Sequence, residues 1–228
     1  MSEQTAQGAI QKVQEVVAEP AGLGLLGLGL VTLVASSEKL GWTSGVAYAL
    51  PWAIFLGAFA QLMAAMYDFK RNNVFGGTAF AGYAFFWMGV GMTWMMKLGM
   101  LGPVAPAPDA HQLGFAFVGY LIFTLYMTVG AMETNKALFA TFCLITVLFT
   151  GLSLTTLGAG AAAEFGHQLA AWSELGVSAL AFYGSAAAVL NQQMGRTVLA
   201  VGKPFGRLKK PSVAGEAAAE TQTLRRVA

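Results

Sequence analysis

Two short segments hold the residues best suited to meeting a small polar solute. One is Glu19-Pro20-Ala21-Gly22-Leu23-Gly24-Leu25, the other Asn72-Asn73-Val74-Phe75-Gly76-Gly77-Thr78-Ala79-Phe80. Each stands at the entrance to a long apolar run, and Pro20 suits the first position of a helix because its missing N–H is an orphan donor there anyway. A helix N-terminus offers free N–H groups and the positive end of a dipole, so each segment can face a passing anion without a charged side chain. The Gly76-Gly77 pair permits close approach of the backbone, and Thr78 adds an uncharged hydroxyl. The same small residues, Gly22, Gly24, Gly27 and Gly29 included, equally suit close packing of helices in a membrane.

Within the apolar runs polar side chains are few, and most Ser and Thr there satisfy carbonyls of their own helix. Gln61 and Asn191 are different, because an amide in hydrocarbon needs several partners. Each either locks helices together or faces a water-filled path. Tyr83 lies about 140° around the helix from Thr78, whereas Phe80 and Tyr83, three apart, share a face. Glu133, Lys136, Lys97 and Glu174 fall near span ends, and His111 and His167 are expected as solvated loop residues. Proton pumps keep Asp, Glu or His at mid-membrane despite a cost of ~2.5–3.5 kcal/mol or more. Without such groups, a path is selected by shape, hydroxyls and helix dipoles, and a proton travels with its solute. A small weak acid suits that path.

The elements that must position these residues are membrane spans. Of the 228 residues 56% are hydrophobic and only 11% charged, too few charges to cover a soluble fold, which averages roughly 25%. Continuous apolar stretches fall at 21–37, 43–66, 75–96, 113–132, 137–158 and 170–194, each close to the ~20 residues that cross ~30 Å of hydrocarbon. The fold class is therefore an all-α integral membrane protein of six transmembrane helices; alternating barrel strands are excluded by the continuity of the runs. Residues 1–19 read as a short cytoplasmic arm without signal-peptide features, 20–202 as the transmembrane domain, and 203–228 as a poorly ordered basic cytoplasmic tail lying against the anionic inner leaflet. With the N-terminus inside, only Lys39 and Lys97 of the 13 Lys and Arg lie outside, which places both termini in the cytoplasm. Six spans divide three and three, and any repeat between the halves has inverted topology. The net charge of +2 excludes a nucleic-acid binder, two His and 11 Asp plus Glu leave no clustered catalytic set, and the single Cys143 excludes an intramolecular disulfide or thiolate cluster. No cofactor or metal is called for.

Three segments together resemble the acetate uptake transporter family, whose bacterial members are succinate–acetate permeases. They are Glu19 to Leu25, Asn73 to Phe80 with Tyr83 and Trp87 after it, and Asn191 followed by Gly195-Arg196-Thr197-Val198-Leu199. The resemblance covers residues 18–204. It implies a homohexamer with a pore in each subunit, carrying acetate and succinate by proton symport or through an anion channel. It also implies a hydrophobic constriction at Leu28, Tyr83 and Ile145, with Glu19, Pro20, Gly24, Phe75, Gly76, Gly77, Thr78 and Asn191 as substrate-binding or motif positions, to which the amide of Gln61 is added from its own chemistry. The family pattern has Asn where this chain has Glu19, Pro where it has Gly22, and usually Phe where it has Leu28, so the gate is expected to be wider or differently shaped. A channel for a small neutral solute such as urea is the alternative that six uncharged helices also allow.

Overall fold

The computed structural model describes residues 17–102 and 108–207. Among them run six helices long and apolar enough to cross a membrane: α1 (Ala21–Lys39), α2 (Leu50–Lys70), α3 (Val74–Lys97), α4 (Ala110–Ala131), α5 (Lys136–Leu157) and α6 (Ala161–Met194). No strand occurs among the described residues. The predicted arm 1–19 and tail 203–228 lie mostly outside them.

Helix starts follow from local chemistry. Asn73, Asp109 and Asn135 cap α3, α4 and α5 by accepting the backbone N–H of Gly76, His111 and Leu138, which satisfies donors the first turn would leave orphaned. Two spans begin elsewhere than their hydropathy suggests. The second starts at Leu50 rather than at 43, because Gly45 takes a positive φ of 76° and Pro51 sets the first turn. The sixth starts at Ala161 rather than at 170: Gly160 at φ 53° breaks the chain, and three alanines then open a helix that carries Glu164 and His167 with it. Hydropathy counted those two against a span, and the 158–166 stretch expected as a connection is helical from 161 onward.

Glu174 is thereby corrected from a span-start residue to a fully enclosed one. It is 2% exposed and bonded to Lys39 Nζ at 2.8 Å. At 1.5 Å per residue Glu174 stands about 30 Å from the Met194 end of α6, and Lys39 about 27 Å from the start of α1. The pair therefore lies at the far edge of a hydrocarbon layer, with the first turns of α6 projecting beyond it. His167 is corrected likewise, since its Nε2 meets the Lys39 carbonyl at 2.9 Å across the same junction.

Small residues let the helices approach. Gly151 of α5 and Gly166 of α6 put backbone on backbone, so that a Cβ on Gly151 would stand 2.7 Å from the Gly166 carbonyl oxygen. Gly27 of α1 faces the Leu56 carbonyl of α2 just as closely. Ser178 and Ser185 of α6 donate to the Gly29 and Gly22 carbonyls of α1 at 2.8 and 2.7 Å, interhelical bonds of about 0.6 kcal/mol each on average. The buried cluster between the helices contains Leu28, Ala79, Tyr83, Phe117, Phe142, Ile145 and Phe149. Phe55, Phe59 and Met66 on α2 and Phe115, Ile122 and Tyr126 on α4 instead point outward, as suits lipid or a neighbouring subunit.

Candidate functional site

Alternation of six helices puts the starts of α1, α3 and α5 and the ends of α2, α4 and α6 at one face, here the Pro20 end. A cavity of about 390 Å³ opens there, lined by Glu19, Asp68, Asn73, Phe75, Gly76, Asn135 and Asn191 near its mouth. Glu19 Oε2 pairs with Arg71 Nη1 at 2.6 Å, both side chains partly exposed. Asp68 is only 1% exposed, accepts from Asn73 Nδ2 at 2.9 Å, and packs its other oxygen against Gly76 so tightly that no Cβ fits at Gly76. The start of α3, expected to receive a passing anion, thus already holds the chain's own carboxylate. Asn191 closes the mouth from another side. Its Oδ1 accepts the N–H of Val198 and Leu199 and its Nδ2 donates to the Leu199 carbonyl, while Ala137 N–H donates to Val201 O. The segment after α6 is thereby strapped across the start of α5, with Val201 facing the cavity.

Leu28, Gln61, Tyr83 and Ile145 also line this cavity. Each stands roughly two to two and a half turns in from the Pro20 end of its helix, at a common depth of about 10–14 Å. Leu28, Tyr83 and Ile145 are 7%, 4% and 3% exposed. The Tyr83 hydroxyl is 3.0 Å from Thr124 Oγ1 of α4, which satisfies it inside an apolar surround. Phe149 backs this layer: its ring stacks on Tyr83 at 6.4 Å and on Tyr120 at 5.5 Å and meets Phe86 edge-on at 5.1 Å.

Phe86 belongs to a second cavity, of about 1170 Å³, that opens at the opposite, Lys39 end. Trp87, Phe117, Lys39, Lys97, Asp109, His167 and Glu174 share its lining. Asp109 caps α4 there, and the His111 backbone N–H it accepts holds its carboxyl below the usual carboxylate range. Two water-accessible hollows therefore approach one another from opposite ends and are parted by a layer of aromatic and aliphatic side chains with no charge in it. That arrangement suits passage of a small solute, and among the described residues no cluster of His, Cys, Asp or Glu could hold a metal.

Comparison with known proteins agrees. A family model described as GPR1/FUN34/yaaH matches residues 2–203. The chain belongs to this family. The succinate-acetate/proton symporter SatP of Escherichia coli strain K12 is 36% identical over 188 residues, covering 82% of this chain and 96% of SatP. Acetate permease A of Emericella nidulans is 28% identical over 153 residues, 63% of this chain and 49% of that one. Among solved structures, that of the bacterial acetate channel SatP superposes with a TM-score of 0.75 at 36% identity, covering 82% of this chain and all of the other. The protein is thus a multi-pass membrane protein of a transporter and channel family, not an enzyme.

The structure brings together eight of the positions singled out in the sequence, Glu19, Leu28, Gln61, Phe75, Gly76, Tyr83, Ile145 and Asn191, around the smaller cavity. Four stand apart from it. Pro20 opens α1, Gly24 gives room to the Phe80 ring, Gly77 gives room to the Phe69 ring, and Thr78 turns away from the lining as its angle to Tyr83 predicts. Three further groups had gone unnoticed. Asp68 lay just past the predicted end of a span, in the helical pattern Asp68-x-Lys70-Arg71 that reads as a solvated helix end; Phe149 looked like any core aromatic; and Thr124 gave no signal beyond being one threonine among many. In this member of the GPR1/FUN34/yaaH family, Glu19 has a counter-ion in Arg71.

Proposed function

We propose that this chain carries acetate and related small mono- and dicarboxylates, succinate among them, across the membrane together with a proton or through an anion channel. The observation that carries the reading is the pair of opposed cavities parted by a single uncharged layer. Leu28, Tyr83 and Ile145 form its narrowest ring, where a solute sheds most of its water against three bulky side chains and one hydroxyl. Relatives named for succinate, acetate and protons support this substrate class over urea. The Lys and Arg distribution supports a cytoplasmic Pro20 end, with both termini inside. The outward apolar faces of α2 and α4 suit subunit contacts in a homohexamer as well as lipid.

Radiolabelled acetate uptake into proteoliposomes, with and without a pH gradient, tests the reading. Saturable uptake above that of protein-free vesicles is expected, falling as external pH rises from about 5 to 8 because the undissociated acid falls about tenfold per unit above the ordinary carboxyl range. Uptake no greater than in protein-free vesicles overturns the reading. Saturable uptake that stays flat with pH retains the channel and removes the proton.

A further inference from the structure

Gln61 follows directly on a π-helical stretch of α2, Ala53–Ala60, a backbone form that recurs at functional sites. It is fully buried and lines the small cavity at the depth of Leu28, Tyr83 and Ile145. Its Nε2 donates to the Gly57 carbonyl one turn back at 2.8 Å. Its Oε1, also buried, meets no hydrogen-bond donor among the described residues. The amide cannot be turned over, since that would set Oε1 against the Gly57 oxygen, two acceptors face to face. Gln61 therefore brings to the cavity lining, at the depth of Leu28, Tyr83 and Ile145, a buried acceptor without a donor.

An acceptor of this kind discriminates between the two forms of a carboxylic acid. A carboxylate brings only further acceptors to it, whereas the undissociated acid brings an O–H. The remaining lining points the same way. Among the described residues the titratable groups facing this cavity are Glu19 ahead of α1, Asp68 on α2 and Tyr83 on α3, with none from α5 or α6 and no Lys or Arg in its lining. Arg71 is engaged by Glu19, and the Tyr83 hydroxyl by Thr124. An anion here meets carboxylates and a bare amide oxygen; a neutral acid satisfies that oxygen.

We propose that Gln61 Oε1 is the group that recognises the acid proton of the solute, so that the constricted part of the path passes undissociated acid, and neutral amides of the same size, in preference to carboxylate. The proposal deepens the carboxylate reading above and rests on it. No bond to hydrogen breaks at Gln61: the solute O–H donates to Oε1 and withdraws as the acid moves on.

Two uncharged solutes of the shape of acetic acid separate this from a structural role without any mutation. Acetamide carries N–H donors where the acid has its O–H, and acetone carries a methyl group there. Against saturable radiolabelled acetate uptake in wild-type proteoliposomes at pH 5, acetamide is expected to compete at least tenfold more strongly than acetone, because a site built around a hydrogen bond rejects the analogue that lacks it. Gln61→Met, of similar volume and without the acceptor, is expected to erase that difference and to lower acetate uptake at pH 5 about tenfold. Equal competition by the two solutes in the wild type overturns the proposal, as does a difference that survives in Gln61→Met. If Gln61→Met does not assemble, the wild-type pair alone decides. Acetate uptake that is intact while acetamide and acetone compete equally removes the role of Gln61 and leaves the transport reading standing; absent uptake removes both.

Discussion

The same two helices, α1 and α6, are joined at both ends of the molecule, and the two junctions are built differently. At the Pro20 end the link is neutral, Ser185 donating to the Gly22 carbonyl. At the Lys39 end it is the enclosed Lys39–Glu174 ion pair with His167 beside it. The cavities differ in the same sense. Among the described residues the smaller has Glu19 and Asp68 in its lining without a Lys or Arg, and the larger has Lys39 and Lys97 together with Glu38, Asp109 and Glu174. The larger mouth thus mixes both signs of charge, with Lys97 and Asp109 both in its lining and Lys39 held by Glu174, whereas the smaller presents carboxylates. Where the charges are placed, rather than how many there are, gives the path two unlike ends.

Glu174→Gln attacks the contrast hardest. It strands the Lys39 ammonium against an amide in a nearly closed site, and breaking a buried pair in this way costs about 3–5 kcal/mol, or a melting temperature lower by about 6–20 °C for a chain of this size. Ser185→Ala at the other junction is expected to cost about 0.6 kcal/mol. Thermal unfolding of both variants in detergent checks this, and equal losses would mean that the two junctions hold α1 in the same way.

Tyr83→Ala acts on the layer between the cavities. Trimming the ring removes the stack on Phe149 and the hydroxyl bound to Thr124, and it is expected to raise the ratio of succinate to acetate flux about fivefold, the equivalent of ~1 kcal/mol. An unchanged ratio at matched expression, with all fluxes lowered together, would assign Tyr83 to packing.

Glu19→Asn sharpens the contrast at the acidic mouth and has the smallest effect. It removes one carboxylate and releases Arg71, and an exposed charge pair is worth about 0–1 kcal/mol. Half-saturation for acetate at pH 7 is expected to improve about twofold, with inhibition by acetamide unmoved. An equal change for the neutral amide would show that shape at the mouth, not charge, had been altered.

Six spans were legible because continuous apolar runs admit few other folds in lipid, and the depth of Leu28, Tyr83 and Ile145 followed once family motifs fixed their offsets. Hydropathy failed where helix continues outside hydrocarbon. Ala161 to Ser173 is as helical as the rest of α6 but carries Glu164, Gly166 and His167, so the run looked like a connection and Glu174 like a terminal residue. The occupied start of α3 was hidden for another reason: Asp68 comes before Asn73 in the chain and reaches forward across a turn in which Asn72 takes a φ of 60°, a juxtaposition that no periodicity encodes. Gln61 was singled out with two meanings open. The Gly57 carbonyl, on Gln61's own helix, engages Nε2 and leaves Oε1 unpartnered among the described residues, so the amide does not lock two helices together.

The Lys39–Glu174 pair also sets a schedule for making the protein. Its partners are 135 residues apart in the chain, which at about 5–20 residues per second takes a ribosome roughly 7–27 s to span. Throughout that interval the first helix has been made while its counter-charge has not, and the serines that bond its glycine carbonyls come later still. The bundle therefore cannot close in the order in which it is translated, and a chain cut short before α6 leaves the Lys39 ammonium without its carboxylate.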